Sequence, residues 1–319
     1  MGSNFCTFEA SRFWRELLVT EFPLREYRVD YDGCSIFLWK HRLHDRFIST
    51  PFRDRLALGW DGSLSPNLSL SVLEMRIRDS LSKGDSESRI ILKDILPYLK
   101  QENGTALALS QSHTNCDVSL DDGIMTRIDR SARKNLRKAR EDYGLQFCVN
   151  SLGTFEDFFS LYLQTRKRLG VAPYRRSFFQ KIFDVMGEYS FVFSCRQGNS
   201  DVGYLICYVH NEELISAHIA YDYMKRHMKI ADFLYLNTFE WGLKNRYTNY
   251  RFGGDYNSQK SLISSKVKLG AVPRTQMDFV LPKGSYTFRD TNTLVQSFLK
   301  RIPTAVYSPV ALATLVYFE

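Results

Sequence analysis

The sequence predicts a mixed α+β fold built as two domains, and three observations carry that expectation. The 319 residues are too many for one small core and suit two domains of roughly 130–160 residues each. Hydrophobic residues make up 44% and aromatic residues 14%, enough for two packed cores, with no sign of disorder or low complexity. The second half reads helix, helix, three antiparallel strands, loop, helix, strand, and the first half repeats this order loosely without detectable identity. Domains are expected over 1–126 and 127–285, followed by a tail over 286–319.

The elements follow from periodicity and punctuation. An amphipathic helix is predicted from about Glu9 to Phe22, with Phe13, Leu17 and Val19 on its apolar side. Strand-like runs follow at Tyr27–Tyr31 and Ser35–Lys40, then RFISTPFRDR (46–55) leads into a Gly-, Asp- and Ser-rich loop ending near Ser65. A polar helix at Ser69–Ser82, a strand at Arg89–Leu92, a short helix and a strand at Thr105–Ser110 complete the first half. The joint is one helix, Arg127–Tyr143, closed by Gly144 as a C-cap. A strand at Gln146–Asn150 comes next. Thr154 then caps a helix whose Phe155, Phe158, Phe159, Tyr162, Arg166 and Leu169 recur at helical spacing. A helix at Arg176–Met186 precedes strands at Ser190–Cys195, Val202–Val209 and Leu214–Tyr221. A helix at Ala231–Asn245, a strand at Tyr250–Phe252, a Gly-Gly-Asp turn and a strand near Met277–Leu281 close the domain.

Charge is concentrated. The formal net charge is +8, yet Arg127–Arg140 holds seven Lys/Arg against one acid, and Lys225–Arg274 holds ten against three. These windows sum to +13, which leaves the rest of the chain at −5. A focused basic field suits an anionic partner: phosphate, diphosphate, RNA or an anionic membrane face. For the first window a solvated helix face serves nearly as well.

Other classes are disfavoured. The six cysteines form no CxxC pair or regular framework, and the six histidines show no HxxxH or HExxH spacing, so neither a disulfide scaffold nor a metal site is expected. No signal peptide opens the chain, and no run reaches the eighteen or so apolar residues of a membrane span. The tail comes nearest, but Lys300, Arg301, Pro303 and Pro309 interrupt it, so a docked or interfacial segment is expected. The expected location is the reducing cytoplasm, with peripheral contact at the inner membrane face as a further option.

Four stretches of the second half, in order, carry a family resemblance: RSARKNLRKAREDYGL (130–145), FEDFFSLYLQTRKRLGVAPYRRSFF (155–179), IAYDYMKRHMKIADFLYLNTFEWG (219–242) and YRFGGDYNSQKSLISSKVKLGA (250–271). With STPFRD at Ser49–Asp54, this set resembles the Fem-type aminoacyltransferases and FemAB-like GNAT acetyltransferases of bacterial envelope and exopolysaccharide pathways. The resemblance implies tandem GNAT-fold domains, the first degenerate. It also implies transfer of an acyl or aminoacyl group to an amine of an envelope or polysaccharide precursor, phosphate- or lipid-linked.

Two departures bear on the donor. A CoA-using GNAT protein presents [QR]-x-x-G-x-[GA] before a helix, so that backbone N–H groups meet the diphosphate. Here Arg226 and Ala231 fit that pattern, but Lys229 stands where glycine belongs and should crowd a close backbone approach. The chain also lacks the inserted helical arm of some Fem enzymes. Aminoacyl-tRNA and an acyl thioester, on CoA or acyl carrier protein, both stay open as co-substrates, with no permanently bound cofactor.

Acyl transfer passes through a tetrahedral oxyanion that a positioned cation stabilises. Lys266, four before Gly270, is the candidate, and Lys268 is the fallback; by resemblance the matching Fem-type lysine contacts the donor or the developing charge. Ser265 replaces the usual preceding Phe. Asp255, after Gly253 and Gly254, is a candidate to accept a proton from the acceptor amine or orient it, against a helix N-cap or Asx-turn role. Arg130, Arg133, Lys134, Arg137 and Lys138 fall on one helix face and suit tRNA backbone or a nucleotide-sugar or lipid diphosphate. The competing reading is a non-catalytic basic module that binds RNA or anionic lipid on a transferase scaffold.

Overall fold

The computed structural model describes residues 5–31, 33–41, 46–49, 58–60, 68–81, 88–98, 109–150, 154–281, 293–302 and 307. The chain divides into two compact units: residues 1–114 with 275–288, and 115–274 with 289–319. The boundary falls inside two strands, β7 (Leu109–Ser119) and β13 (Val272–Leu281). Among the described residues no helix is long and apolar enough to cross a membrane.

The first unit begins with β1 (Phe5–Cys6) and α1 (Arg12–Glu21), then β2 (Leu24–Tyr31), β3 (Cys34–His41), β4 (Arg46–Ile48), β5 (Leu58–Trp60), α2 (Leu70–Ser80) and β6 (Arg89–Leu92). Its strands are ordered β1-β5-β3-β4-β6-β13, with β2 antiparallel to β3. Strand β4 is parallel to β6, and β13 is antiparallel to it. Ser11 caps α1 by accepting from the Trp14 N–H at 3.3 Å. The buried stripe of α1 is Trp14, Leu17, Leu18 and Glu21. This corrects the sequence expectation: Val19 is exposed, because Trp14 sets the inward face and Val19 lies five positions on. Val29, Ile36, Leu38, Phe47, Ile77 and Ile90 form the core. STPFRD beyond Ser49, the following loop and 105–108 lie outside the described residues.

The second unit holds α3 (Ile124–Arg127), α4 (Arg130–Glu141), β8 (Gln146–Val149), α5 (Phe155–Leu169), α6 (Arg176–Asp184), β9 (Ser190–Gln197), β10 (Ser200–His210), β11 (Glu213–Tyr221), α7 (Ile230–Lys244), β12 (Asn249–Tyr256), α8 (Lys260–Lys268) and α9 (Thr293–Arg301). The expected single helix over 127–143 is two. The Asp129 carboxylate accepts from the Ser131 N–H at 2.7 Å, capping α4 and ending α3 one residue earlier. Thr154 caps α5 by accepting from the Asp157 N–H at 3.1 Å.

The strands of this unit run β7-β12-β11-β10-β9-β8. From β8 to β11 the pairing is antiparallel, and β11 lies parallel to β12. Helices α4 and α7 share the principal core with one sheet face, through Leu136, Ala139, Phe193, Leu205, Phe233 and Phe239. On the other face α5 and α6 bring Phe158, Tyr162, Phe178 and Phe179 against Tyr204 and His218. Helix α9 docks on the end of α5, where Leu299, Ile302 and Tyr307 are buried and the Tyr307 hydroxyl donates to the Val171 carbonyl at 2.5 Å.

Candidate active site

Two features open the sheet of the second unit. The ladder between β10 and β11 slips by one residue after Ile206↔His218, so that Cys207 faces Ser216 and Ala217 is bulged out. The parallel ladder between β11 and β12 covers only Glu213↔Asn249, Leu214↔Tyr250 and Ile215↔Arg251. Both strands continue for several residues beyond it without a shared ladder, and so part at their C-terminal ends. Rings of α7 fill the space behind the parting: Phe239 meets Tyr250 at 4.8 Å and Tyr235 meets Phe252 at 5.0 Å between centroids.

Asp255 and Lys266 come together there. Lys266 Nζ lies 2.6 Å from Asp255 Oδ2, both side chains are buried, and the ammonium stands 5.4 Å over the Phe252 ring. The sequence placed Gly253-Gly254-Asp255 in a turn; instead β12 runs on through Tyr256. Gly253 takes φ +85°, a conformation glycine adopts without a Cβ clash, so the strand twists locally instead of reversing. Lys266 is held by the closure of α8, where its carbonyl accepts from Leu269 and Ala271 N–H at 3.0 and 3.1 Å.

Cys116 of β7 faces the same pair. Against the opposing pull of Lys266, burial pushes its thiol up to about 11, which disfavours the thiolate. Tyr235 and Tyr250 both hydrogen-bond Ser216, and burial pushes both phenols well above their usual value. These groups come from β7, β11, β12 and α7, so no local spacing announced them.

Lys268 is separated from Lys266. It is exposed and acts electrostatically on Asp129 and Asp232 instead. At the entry to α7, Arg226 is exposed and Ala231 half-buried. Lys229 adopts φ +63°, ψ +35°, the left-handed backbone that glycine would take. The loop geometry is therefore retained although its residue has changed. Asp232 sits in the first turn of α7 and accepts from Asn135 Nδ2 at 2.6 Å; burial holds its carboxyl above the usual range.

Arg130, Arg133, Lys134 and Arg137 are exposed along α4, opposite the buried Ala132, Leu136 and Ala139. Lys138 is half-buried, 5.6 Å over Tyr143. Arg133 donates to the Met125 carbonyl at 2.7 Å, and Arg137 lies 3.9 Å from Glu141. These cations lie on the outer side of α4.

Residues 126–261 match the family model described as an acetyltransferase (GNAT) domain. Lys266 lies just beyond the matched segment. In fold the whole chain is Fem-like. It is similar to FemX, with 14% identity, a TM-score of 0.60, and coverage of 86% of this chain and 92% of FemX. L-PGS from Bacillus licheniformis shares 14% identity at a TM-score of 0.56, over 92% and 97% of the two chains. The C-terminal domain of a proposed lysylphosphatidylglycerol synthetase from Agrobacterium fabrum shares 11% at 0.54, over 89% of each. No curated protein sequence matches the chain.

Proposed function

We propose that the second unit transfers an acyl or aminoacyl group to an amine, with Lys266 stabilising the oxyanion and Asp255 holding Lys266. The observation that carries this is the buried 2.6 Å pair at the open end of the β11–β12 ladder. Attack by the neutral amine forms the C–N bond while the carbonyl π pair moves to oxygen. Collapse of the adduct expels the donor's ester oxygen or thiolate, which takes up the proton lost by nitrogen, with Asp255 as the relay. A fixed ammonium at the developing charge is worth far more in a buried site than in water.

The donor favoured is an aminoacyl ester of tRNA. Lys229 brings a side chain to the position where the CoA-binding pattern has glycine, and Asp232 adds a carboxyl to the same helix turn. The exposed cations of α4 suit the tRNA backbone. The acceptor is an amine on a phosphate- or lipid-linked envelope or polysaccharide precursor, reached in the cytoplasm or at the inner membrane face. One relative of like fold is by name a synthetase of an aminoacylated phospholipid.

Purified full-length protein, offered labelled aminoacyl-tRNA or acyl-CoA with a panel of amines, tests the reading. Turnover should appear with the tRNA ester and fall ~10²–10³-fold in Lys266→Met. Salt-sensitive RNA or lipid binding without turnover from either donor would instead identify a non-catalytic basic module.

A further inference from the structure

On the sheet face opposite α7, the connection between α5 and α6 is fixed from outside those two helices. Residues 171–175 form no helix or strand, yet three of them are tied in turn. The Tyr307 hydroxyl donates to the Val171 carbonyl at 2.5 Å. Arg166 donates from Nε and Nη2 to the Ala172 carbonyl at 3.0 and 2.6 Å, and the Tyr162 hydroxyl accepts from the Tyr174 N–H at 2.8 Å. Ala172 packs on the buried Leu299, Ile302 and Tyr307. Gly170, at φ +72°, lets the Gln296 backbone of α9 come closer than any Cβ would permit. A side chain 136 positions further along the chain thus closes this connection.

The same connection reaches the opening between β11 and β12. The Tyr174 ring meets the His218 imidazole in a T-shaped contact, with centroids 5.3 Å apart. His218 lies on β11 beyond Ile215, the last rung shared with β12, and directly after the bulged Ala217. Before the bulge, Ser216 turns to Tyr235 of α7. After it, His218 turns to Tyr162, Tyr174 and Phe179 on the α5–α6 side, and its Nε2 stands 3.4 Å from the Tyr208 hydroxyl. The imidazole is half-buried, so solvent reaches it. The anionic body of the donor is assigned to the α4 and α7 face, which leaves the α5–α6 face as the approach for the amine.

We infer that Tyr307 is a positioning residue for the acceptor: through the α5–α6 connection it holds Tyr174 against His218 and so shapes the side of the opening from which the amine arrives. Pro173, with its fixed φ, stands between the tied Ala172 and Tyr174, so a displaced Val171 carries the Tyr174 ring with it. One net hydrogen bond, that of the Tyr307 hydroxyl, favours the closed connection by roughly fivefold. The acceptor role rests on the transferase reading; the holding of Tyr174 and His218 does not.

Tyr307→Phe, which keeps the ring and loses only the hydroxyl, tests this in the full chain. Without substrate, amide exchange at Val171 and Tyr174 should quicken roughly fivefold, and the His218 imidazole signal should move in NMR of protein carrying isotope-labelled histidine. With aminoacyl-tRNA and the amine to which wild type transfers fastest, the KM for the amine should rise about threefold or more, while kcat and the KM for the tRNA stay within about twofold. Tyr307→Ala should repeat this pattern with larger shifts. Arg196→Gln, which breaks the Arg196–Asp201 ion pair of the β9–β10 hairpin, controls for plain loss of stability and should leave the His218 signal and the amine KM unchanged. Unchanged exchange with an unmoved His218 signal in Tyr307→Phe overturns the inference. An amine KM that stays within about twofold of wild type while those signals move also overturns it, as does an equal rise of that KM in Arg196→Gln. Absence of transfer by the wild type fails the transferase reading and removes the acceptor role with it, while exchange and the His218 signal still establish or refute the holding by Tyr307.

Discussion

Lys266→Met tests whether the central pair is an energetic unit. The substitution keeps most of the side-chain volume but leaves the Asp255 carboxylate buried without its cation. Both side chains are only about one-tenth exposed, so solvent screens little of the lost attraction. Removing one partner of such a pair costs about 3–5 kcal/mol. In a unit of this size that corresponds to a melting temperature lower by roughly 10 °C. Asp255→Leu should lose a similar amount, since it strands an ammonium. The double variant Lys266→Met/Asp255→Leu, with no buried charge, should return to within about 1 kcal/mol of wild type while remaining inactive. Urea denaturation of the four proteins closes the cycle, and acyl transfer is measured on the same samples. If the two single losses simply add in a double variant carrying both, the two groups are not coupled and the site built on them is wrong.

Three further outcomes follow from the geometry. Lys229→Gly should stabilise the protein by about 1 kcal/mol in chemical denaturation, because glycine adopts the left-handed backbone without strain, and should tighten CoA binding by clearing the entry to α7. Gly170→Ala should cost about 2 kcal/mol: the residue has φ +72°, and an added Cβ would lie 2.6 Å from the Gln296 carbonyl oxygen of α9. Burial raises the carboxyl pKa of Asp278 above its ordinary 3.8, so the folded state holds its proton more tightly than the unfolded chain. Its contribution is then fully present below about pH 4 and is lost as pH rises through the elevated folded value. Asp278→Asn should flatten that part of the stability profile between pH 3 and 7, measured against wild type by denaturant titration.

The chain was legible wherever local pattern decides structure. The strand at Arg89–Leu92, the Thr154 cap and the run of three antiparallel strands all stand as their side-chain periods indicate. The failures are places where distant contacts decide. The strand expected at Thr105–Ser110 did not include the mostly polar stretch 111–119, which forms β7 beside β12, whose residues lie over a hundred positions later. Gly253-Gly254 has turn composition, but β12 runs on through it with a local twist at Gly253. Of the site, Lys266 and Asp255 were each visible as candidates in sequence; that they touch was not, because α8 folds back on β12 only in three dimensions. Tyr307 and Val171 gave no signal as a pair, being 136 positions apart.

Beyond Ile215 no shared ladder joins β11 to β12, and the Tyr250 hydroxyl on Ser216 is a side-chain tie between them. Tyr235 and Phe239 of α7 pack against Tyr250 and Phe252 of β12, the strand that carries Asp255. A smaller residue at Phe239 would leave space behind β12, and the position of Asp255, and with it that of Lys266, would shift without any alteration to either residue.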